Sequence, residues 1–243
     1  MTHTKYLHYE LLQYVRNWRF VGISVAWPLI VYFAIGLPNR HGTFDGVSFP
    51  LYFMMGMAVL GTMSAIIASG ARIALDRSAG WTRQLRITPL RTSTYFRSKL
   101  TCGYLVVILT IVVMALAGTS LGVRLSAGEW LKVAYLLIIG LVPLAVLGVL
   151  MGHLIKADML TAVAGGLVTV LALFGGSYGF LIASSGVMYD VIRAIPSYWL
   201  VQAGTIALHG GNWPAQAWIV VAAWTAVLIP LAALAYRRDT SKA

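Results

Sequence analysis

Acid is scarce in this chain. Seven Asp and Glu residues stand against eighteen Lys and Arg, and charged residues fill 10% of the 243 positions. There is one cysteine, Cys102, so no internal disulfide can form and metal sites built on paired cysteines are excluded. The acids and the five histidines are scattered without ligand spacing, which gives no metal centre. No Gly-Lys dipeptide occurs, so the chain lacks a P-loop in which backbone N–H groups and a lysine cradle phosphates. "LFGGS", Leu173 to Ser177, is faintly like an ATPase signature but falls inside an apolar run, where it reads as helix packing. The net charge of +11 could suggest nucleic acid. A nucleic-acid binder, however, is polar overall with a basic face, and 59% of this chain is hydrophobic.

What is present is a set of long uncharged runs. Spanning a bilayer core of about 30 Å takes about 20 apolar residues at 1.5 Å per residue. Six runs qualify: 20–37, 50–71, 100–121, 133–154, 159–184 and 215–236, and none holds Asp, Glu, Lys or Arg. One central charge would cost about 2.5–3.5 kcal/mol on insertion. The runs are continuous rather than alternating, so they predict helices and not a barrel. The expectation is an all-α integral membrane protein of one domain, residues 1–243, with six transmembrane helices. The first run is long for a signal peptide and reads as a retained span.

Lys and Arg set the predicted orientation. With the N-terminus inside, the inner segments hold Lys5, Arg16, Arg19, the seven cations between Ala71 and Leu100, Lys156, Arg237, Arg238 and Lys242. The outer segments hold Arg40, Arg124, Lys132 and Arg193. This bias predicts cytoplasmic N- and C-termini in a cell inner or plasma membrane. The leader "YLHYELLQYVRNWRF" repeats Leu7, Leu11, Tyr14, Val15 and Trp18 at spacings of three and four, which predicts an N-terminal interfacial helix. The uncharged fifteen residues after Arg193, beginning "AIPSYW", are too short to span and too apolar for a plain loop. They predict a re-entrant or interfacial helix starting near Pro196 and packed on other helices. The fifth run, with Gly165–Gly166 and Gly175–Gly176, is long enough to tilt or break.

The stretch "ARIALDRSAGWTRQLRITPLRTSTYFRSKL" holds seven cations and one acid, Asp76. Asp76 is read as the cap of a short helix to about Ile87. Trp81 and Leu85, four apart, share a face of it, and Arg77, Arg83 and Arg86 remain for acidic partners. Thr88–Pro89 ends the helix. A second helix starts near Thr92 or Ser93 and runs into the third span. The predicted product is an elbow with an apolar knob ringed by cations, a docking element for a protein partner. The plainer reading is a positive-inside loop that meets lipid headgroups.

These residues resemble the permease of type-2 ABC exporters, the group that includes daunorubicin-type drug-resistance permeases. The resemblance rests on Asp76-Arg77, Gly80, Arg83, Leu85 and Thr88-Pro89-Leu90, on Arg16-Asn17 with Pro28, and on Pro196 with its aromatic pair. Ser78-Ala79 depart from it, since the family often has a glutamate before the glycine. The resemblance implies that the elbow is a coupling helix seated in an ABC ATPase subunit, with Asp76, Arg77, Gly80, Trp81, Arg83, Leu85, Arg86 and Pro89 at the contact. It implies two ATPase copies and a second permease copy, identical or related. It implies efflux of a drug- or antibiotic-like lipophilic or amphipathic molecule, or lipid or glycolipid export by the same architecture. ATP and magnesium would sit on the partner, and this chain would bind no cofactor and catalyse no reaction.

Met54, Met55, Met57 and Met63, with Phe174 and Tyr178, are candidates for a substrate path, because soft side chains suit varied apolar molecules. Lipid contact or dimer packing is the plainer reading. An intramembrane protease would need a Ser–His pair on facing spans. Ser69, Ser184 and Ser185 and His153 and His209 offer none that is placed within the bilayer. His153, Lys156 and Asp158 mark a short inner turn, either a second partner contact or ordinary interfacial charge. The alternatives to the ABC reading are an ATP-independent channel or secondary transporter, and a non-transporting anchor. Ion-coupled transporters usually carry intramembrane ionisable residues, and the six runs hold no Asp, Glu, Lys or Arg.

Overall fold

Uncharged backbone in lipid must satisfy its own hydrogen bonds, and most of the described residues of the apolar runs do so as helix. The structure is a computed structural model that describes residues 3–16, 18–44, 46–81, 92–178, 185–208 and 211–241. The elements are α1 (His3–Arg16), α2 (Trp18–Gly36), a hairpin of β1 (Thr43–Phe44) and β2 (Val47–Ser48), α3 (Phe49–Ala71), α4 (Ile73–Ser78), α5 (Thr92–Ser120), α6 (Ala127–Gly140), α7 (Val142–Leu154), α8 (Leu160–Gly175), α9 (Gly186–Arg193), α10 (Pro196–Leu208) and α11 (Ala215–Ser241).

Four stretches are long and apolar enough to cross a membrane: Phe49–Ser78, Ser93–Ser120, Ala127–Leu154 and Ala215–Asp239. Ser24–Gly36 and Leu160–Gly175 are apolar but shorter. The chain is a helical membrane protein. The fifth run is shorter than its 26 residues suggested because Gly176 takes a left-handed conformation, φ +79°, and ends α8 at Gly175. The fourth run is jointed at Leu141, with Pro143 in the first turn of α7, where its missing N–H costs little.

α3 is the central helix. It packs against α2, α5, α7, α8 and α10, and 89% of its most apolar window is buried within the chain. Lipid tails are as apolar as these side chains, so close van der Waals packing rather than hydrophobic transfer must hold such a helix. Glycine makes the approach possible at the α3–α7 crossing. A Cβ added at Gly148 would lie 2.5 Å from the Ile67 carbonyl oxygen, and one at Gly152 would lie 2.7 Å from that of Gly70. α11 is the opposite case: Ile219, Val227, Ile229 and Leu234 are more than half exposed and face outward, as lipid-contacting residues should.

α10 begins at Pro196 and packs on α3, α6 and α8, burying Tyr198, Trp199, Leu200 and Val201. α5 begins at Thr92 and runs unbroken through Tyr95 and Phe96 to Ser120. α1, α4, the start of α5, the end of α7 and the end of α11 meet at one end of the bundle through the contacts described below. This is the basic end.

Candidate functional site

α4 follows α3 after a single non-helical residue, Arg72, and carries Asp76 and Arg77 one after the other. Asp76 does not cap a following helix, as its sequence context suggested. It lies inside α4, and its carboxylate Oδ2 accepts from Lys99 Nζ at 2.8 Å and from the Tyr95 hydroxyl at 2.7 Å. A lysine reaching for a carboxylate outcompetes a local cap, because an unpaired ammonium in this interior would cost several kcal/mol.

Lys99 is 2% exposed. It also contacts Glu10 Oε1 at 3.0 Å and Oε2 at 3.1 Å. Two carboxylates thus share one ammonium, and the surplus negative charge is met by hydroxyls: Tyr6 donates to Glu10 at 2.8 Å and Tyr95 to Asp76. Burial pushes the Tyr6 hydroxyl far above its ordinary range, and the Glu10 carboxylate pushes it further, so it stays protonated and donates.

The inward stripe of α1 is therefore Tyr6, Glu10 and Tyr14, each nearly inaccessible, with Leu7 and Leu11 only half-buried beside it. The leader was expected to lay Leu7, Leu11, Tyr14, Val15 and Trp18 on the membrane. The described part instead docks on α5 through polar residues, because a buried lysine offers them more than lipid does. The side chains of Val15 and Trp18 lie outside the described residues. Tyr14 donates to Ser69 Oγ at 2.9 Å, and Ser69 donates to the Lys99 carbonyl at 2.6 Å, which makes that serine a joint between α1, α3 and α5.

Arg77 points the other way. Its Nη1 donates to the carbonyls of Gly152 (3.1 Å) and His153 (2.8 Å), which end α7, and its Nε lies 2.8 Å from Asp239 Oδ2 on α11. A cation on the last carbonyls of a helix satisfies orphan acceptors and the helix dipole together. His153 Nδ1 meets the same Asp239 oxygen at 3.0 Å, and Phe96, His153 and Tyr236 pack as an aromatic trio.

The remaining elbow residues are only partly in view. Gly80 is left-handed, φ +71°, and turns the chain after α4. Trp81 stacks on Tyr9 of α1 at 5.8 Å and packs on the cluster of Tyr6, Ile73 and Tyr95. Arg83, Leu85, Arg86 and Pro89 lie outside the described residues. Ser184 and His209 do too.

The substrate-path candidates separate. Met54, Met55, Met57 and Met63 are at most 2% exposed and fill gaps beside glycines: Met54 lies against Gly118 and Met55 against Gly204. Phe174 packs half-buried on the same core. Tyr178 alone of the six lines a cleft of about 380 Å³. That cleft runs along α3 between α2 and α8, from Arg72 and Leu75 at the basic end past Ile67 and Ser64 to Leu60. Trp27 and Pro28 form one wall, and Ala164, Gly165 and Val168 form the other. Arg72 holds its guanidinium over the Tyr14 ring, 4.3 Å from the centroid. Sequence reasoning missed Glu10, Lys99, Asp239 and the cleft wall.

No family model matches the chain. It is 26% identical over 205 residues to the Bacillus subtilis (strain 168) protein named "Putative transport permease YvfS", a match that covers 84% of each chain.

Proposed function

We propose that this chain is the membrane subunit of an ATP-driven exporter of the ABC type. A separate ATPase would dock on the segment after Gly80, and the cargo is a lipophilic or amphipathic small molecule. The similarity to a protein named as a transport permease supports membrane transport. The observation that carries the finer reading is the position of α4. Arg72 and Leu75 line the cleft, Asp76 and Arg77 tie α4 to α1, α5, α7 and α11, and Trp81 leaves toward the segment that resembles a coupling helix. A displacement imposed beyond Trp81 therefore reaches the cleft wall through one turn of helix and two ion clusters. With the basic end in the cytoplasm, as the positive-inside bias requires, that displacement comes from the side where ATP is.

Purification of the intact chain in mild detergent from its own host should bring down an ABC ATPase. Its reproducible absence from preparations that still transport would overturn the proposal.

The buried Lys99 cluster favours one other reading, a transporter coupled to protons or sodium ions, because intramembrane ionisable groups are the usual hardware of ion coupling. The cluster lies apart from the cleft, whose lining contains none of its members, and this favours the ATP-driven reading. Transport that stops when an ionophore collapses the ion gradients, with ATP maintained, would select the alternative.

A further inference from the structure

We infer that the cleft between α2, α3 and α8 binds an uncharged bolaform amphiphile, an elongated apolar molecule with a hydroxyl or carbonyl oxygen at each end. The inference follows from where the cleft keeps polar groups that the protein does not use. Through the middle, hydroxyls are taken up by their own helices. Ser64 donates to the Leu60 carbonyl at 2.8 Å, and Thr169 donates to the Gly165 carbonyl at 2.9 Å. Ser24 is engaged within the protein as well. Around them Pro28, Ile67, Ala164 and Val168 supply apolar side chains, so this stretch suits a hydrocarbon segment. The two ends differ. Thr161, Tyr178 and Trp27 line the cleft, and among the described residues their hydroxyls and indole N–H have no hydrogen-bond partner. Thr161 is the second residue of α8, at the basic end. Tyr178 lies just beyond the other end of α8, where the carbonyl of its neighbour Ser177 abuts Gly56 of α3. Trp27 belongs to that far end too, because Pro28 packs on Gly61 beside Leu60.

Depth, length and charge narrow the class. Gly56 lies about 10 Å inside the end of α3 that is remote from the basic cluster. Water is scarce there, and a hydrogen bond left unmade is costly. A tail ending in a methyl group leaves Tyr178 and Trp27 unsatisfied, whereas a tail ending in oxygen accepts from both. From Thr161 to its end at Gly175, α8 rises about 21 Å, the reach of an extended hexadecyl chain. Arg72 is the one formally charged residue among those lining the cleft. It holds its guanidinium over Tyr14 and is engaged within the protein, so it borders the Thr161 end without selecting the head. The lining carries no carboxylate either. Recognition therefore falls to hydrogen bonds at the two ends, with no demand for an ionic group.

Calling such a molecule the cargo rests on the transport reading, but its binding does not, and the two are tested apart. The full chain in uncharged maltoside micelles is titrated with a hexadecanediol that carries a hydroxyl at each end and bromine at mid-chain. A hexadecanol brominated at the same carbons, with a hydroxyl at one end only, is titrated separately. Bromine quenches nearby indoles, and the portion of quenching lost in Trp27→Phe reports the cleft. The expected result is saturable Trp27-dependent quenching by both ligands, with an apparent Kd for the diol about fivefold or more below that of the alcohol. Tyr178→Phe and Thr161→Val should each remove most of that advantage while the alcohol still binds, which also shows that the variants are folded. Gly165→Leu should weaken both ligands, since a Cβ at Gly165 meets nothing within 4 Å and the larger side chain projects into open cleft without disturbing the fold. Equal affinities for diol and alcohol in the unmodified chain would overturn the inference. So would an advantage that survives both Tyr178→Phe and Thr161→Val, or quenching that never saturates. Failure of an ATPase to copurify with a transporting chain would remove the ATP-driven reading and leave this binding pattern intact, whereas a missing diol advantage would do the reverse.

Discussion

The Arg77 guanidinium and the Asp239 carboxylate meet at 2.8 Å across about two thirds of the length of the chain, and the same arginine closes the end of α7. The pair fastens the last helix to the segment proposed to receive the ATPase. Arg77→Ala and Asp239→Ala should each loosen the end of α11. Both side chains are about a quarter exposed, so the coupling in a double-mutant cycle should be modest, about 1 kcal/mol. Amide exchange near Arg237 and Arg238 should rise in either variant. Unchanged exchange would remove the fastening role.

Lys99→Met should be far more damaging. It leaves the Glu10 and Asp76 carboxylates facing each other without a cation, and breaking a buried pair in this way costs about 3–5 kcal/mol. Unfolding by titrated sodium dodecyl sulfate measures it. The triple variant Lys99→Met, Glu10→Gln, Asp76→Asn should recover most of the loss, because an uncharged set has nothing left to neutralise. A single Lys99→Met variant as stable as the parent would contradict the assigned network.

The α3–α7 crossing gives a steric prediction. Gly148→Val forces a side chain into the Ile67 backbone and should destabilise by about 1–3 kcal/mol. Gly166→Ala should cost nothing, since no atom lies within 4 Å of the added carbon. Equal stabilities of the two variants in the same detergent titration would refute the close crossing.

Trp81→Ala combined with Leu85→Ala should leave the chain inserted while uncoupling ATP hydrolysis from transport in the reconstituted complex. Losing the Tyr9 stack should cost only about 0.5–1.5 kcal/mol. Normal transport by this variant would end the docking role of that face.

Much of the helical scaffold was legible because charge is expensive in lipid: runs without Asp, Glu, Lys or Arg mark where helix must be. Thr92 and Pro196 were legible as starts because local chemistry sets a helix start. The inward face of α1 was not. Periodicity assumes that apolar residues turn toward the core, but next to a membrane apolar residues are equally content outside, and Tyr6, Glu10 and Tyr14 took the interior. Lys99 was counted as one more headgroup cation because its partners lie on two other helices, and no local pattern announces a distant pairing. The scarcity of acid was the available signal. Three of the seven acids, Glu10, Asp76 and Asp239, converge on the basic end, which is far from how a mere solubilising charge would be spent. The methionines of α3 were placed on a path by their softness, and the same softness is what lets them fill the spaces beside Gly118 and Gly204.

The burial of α3 has a consequence for biogenesis. The ribosome delivers this helix early, yet α5, α7, α8 and α10, which enclose it, are made afterwards. Until they arrive, lipid must occupy every groove that Gly61, Gly70 and their neighbours keep open. Assembly is therefore a succession of lipid displacements around a waiting helix, and a chain truncated after α6 would leave its most glycine-thinned surface exposed to the bilayer.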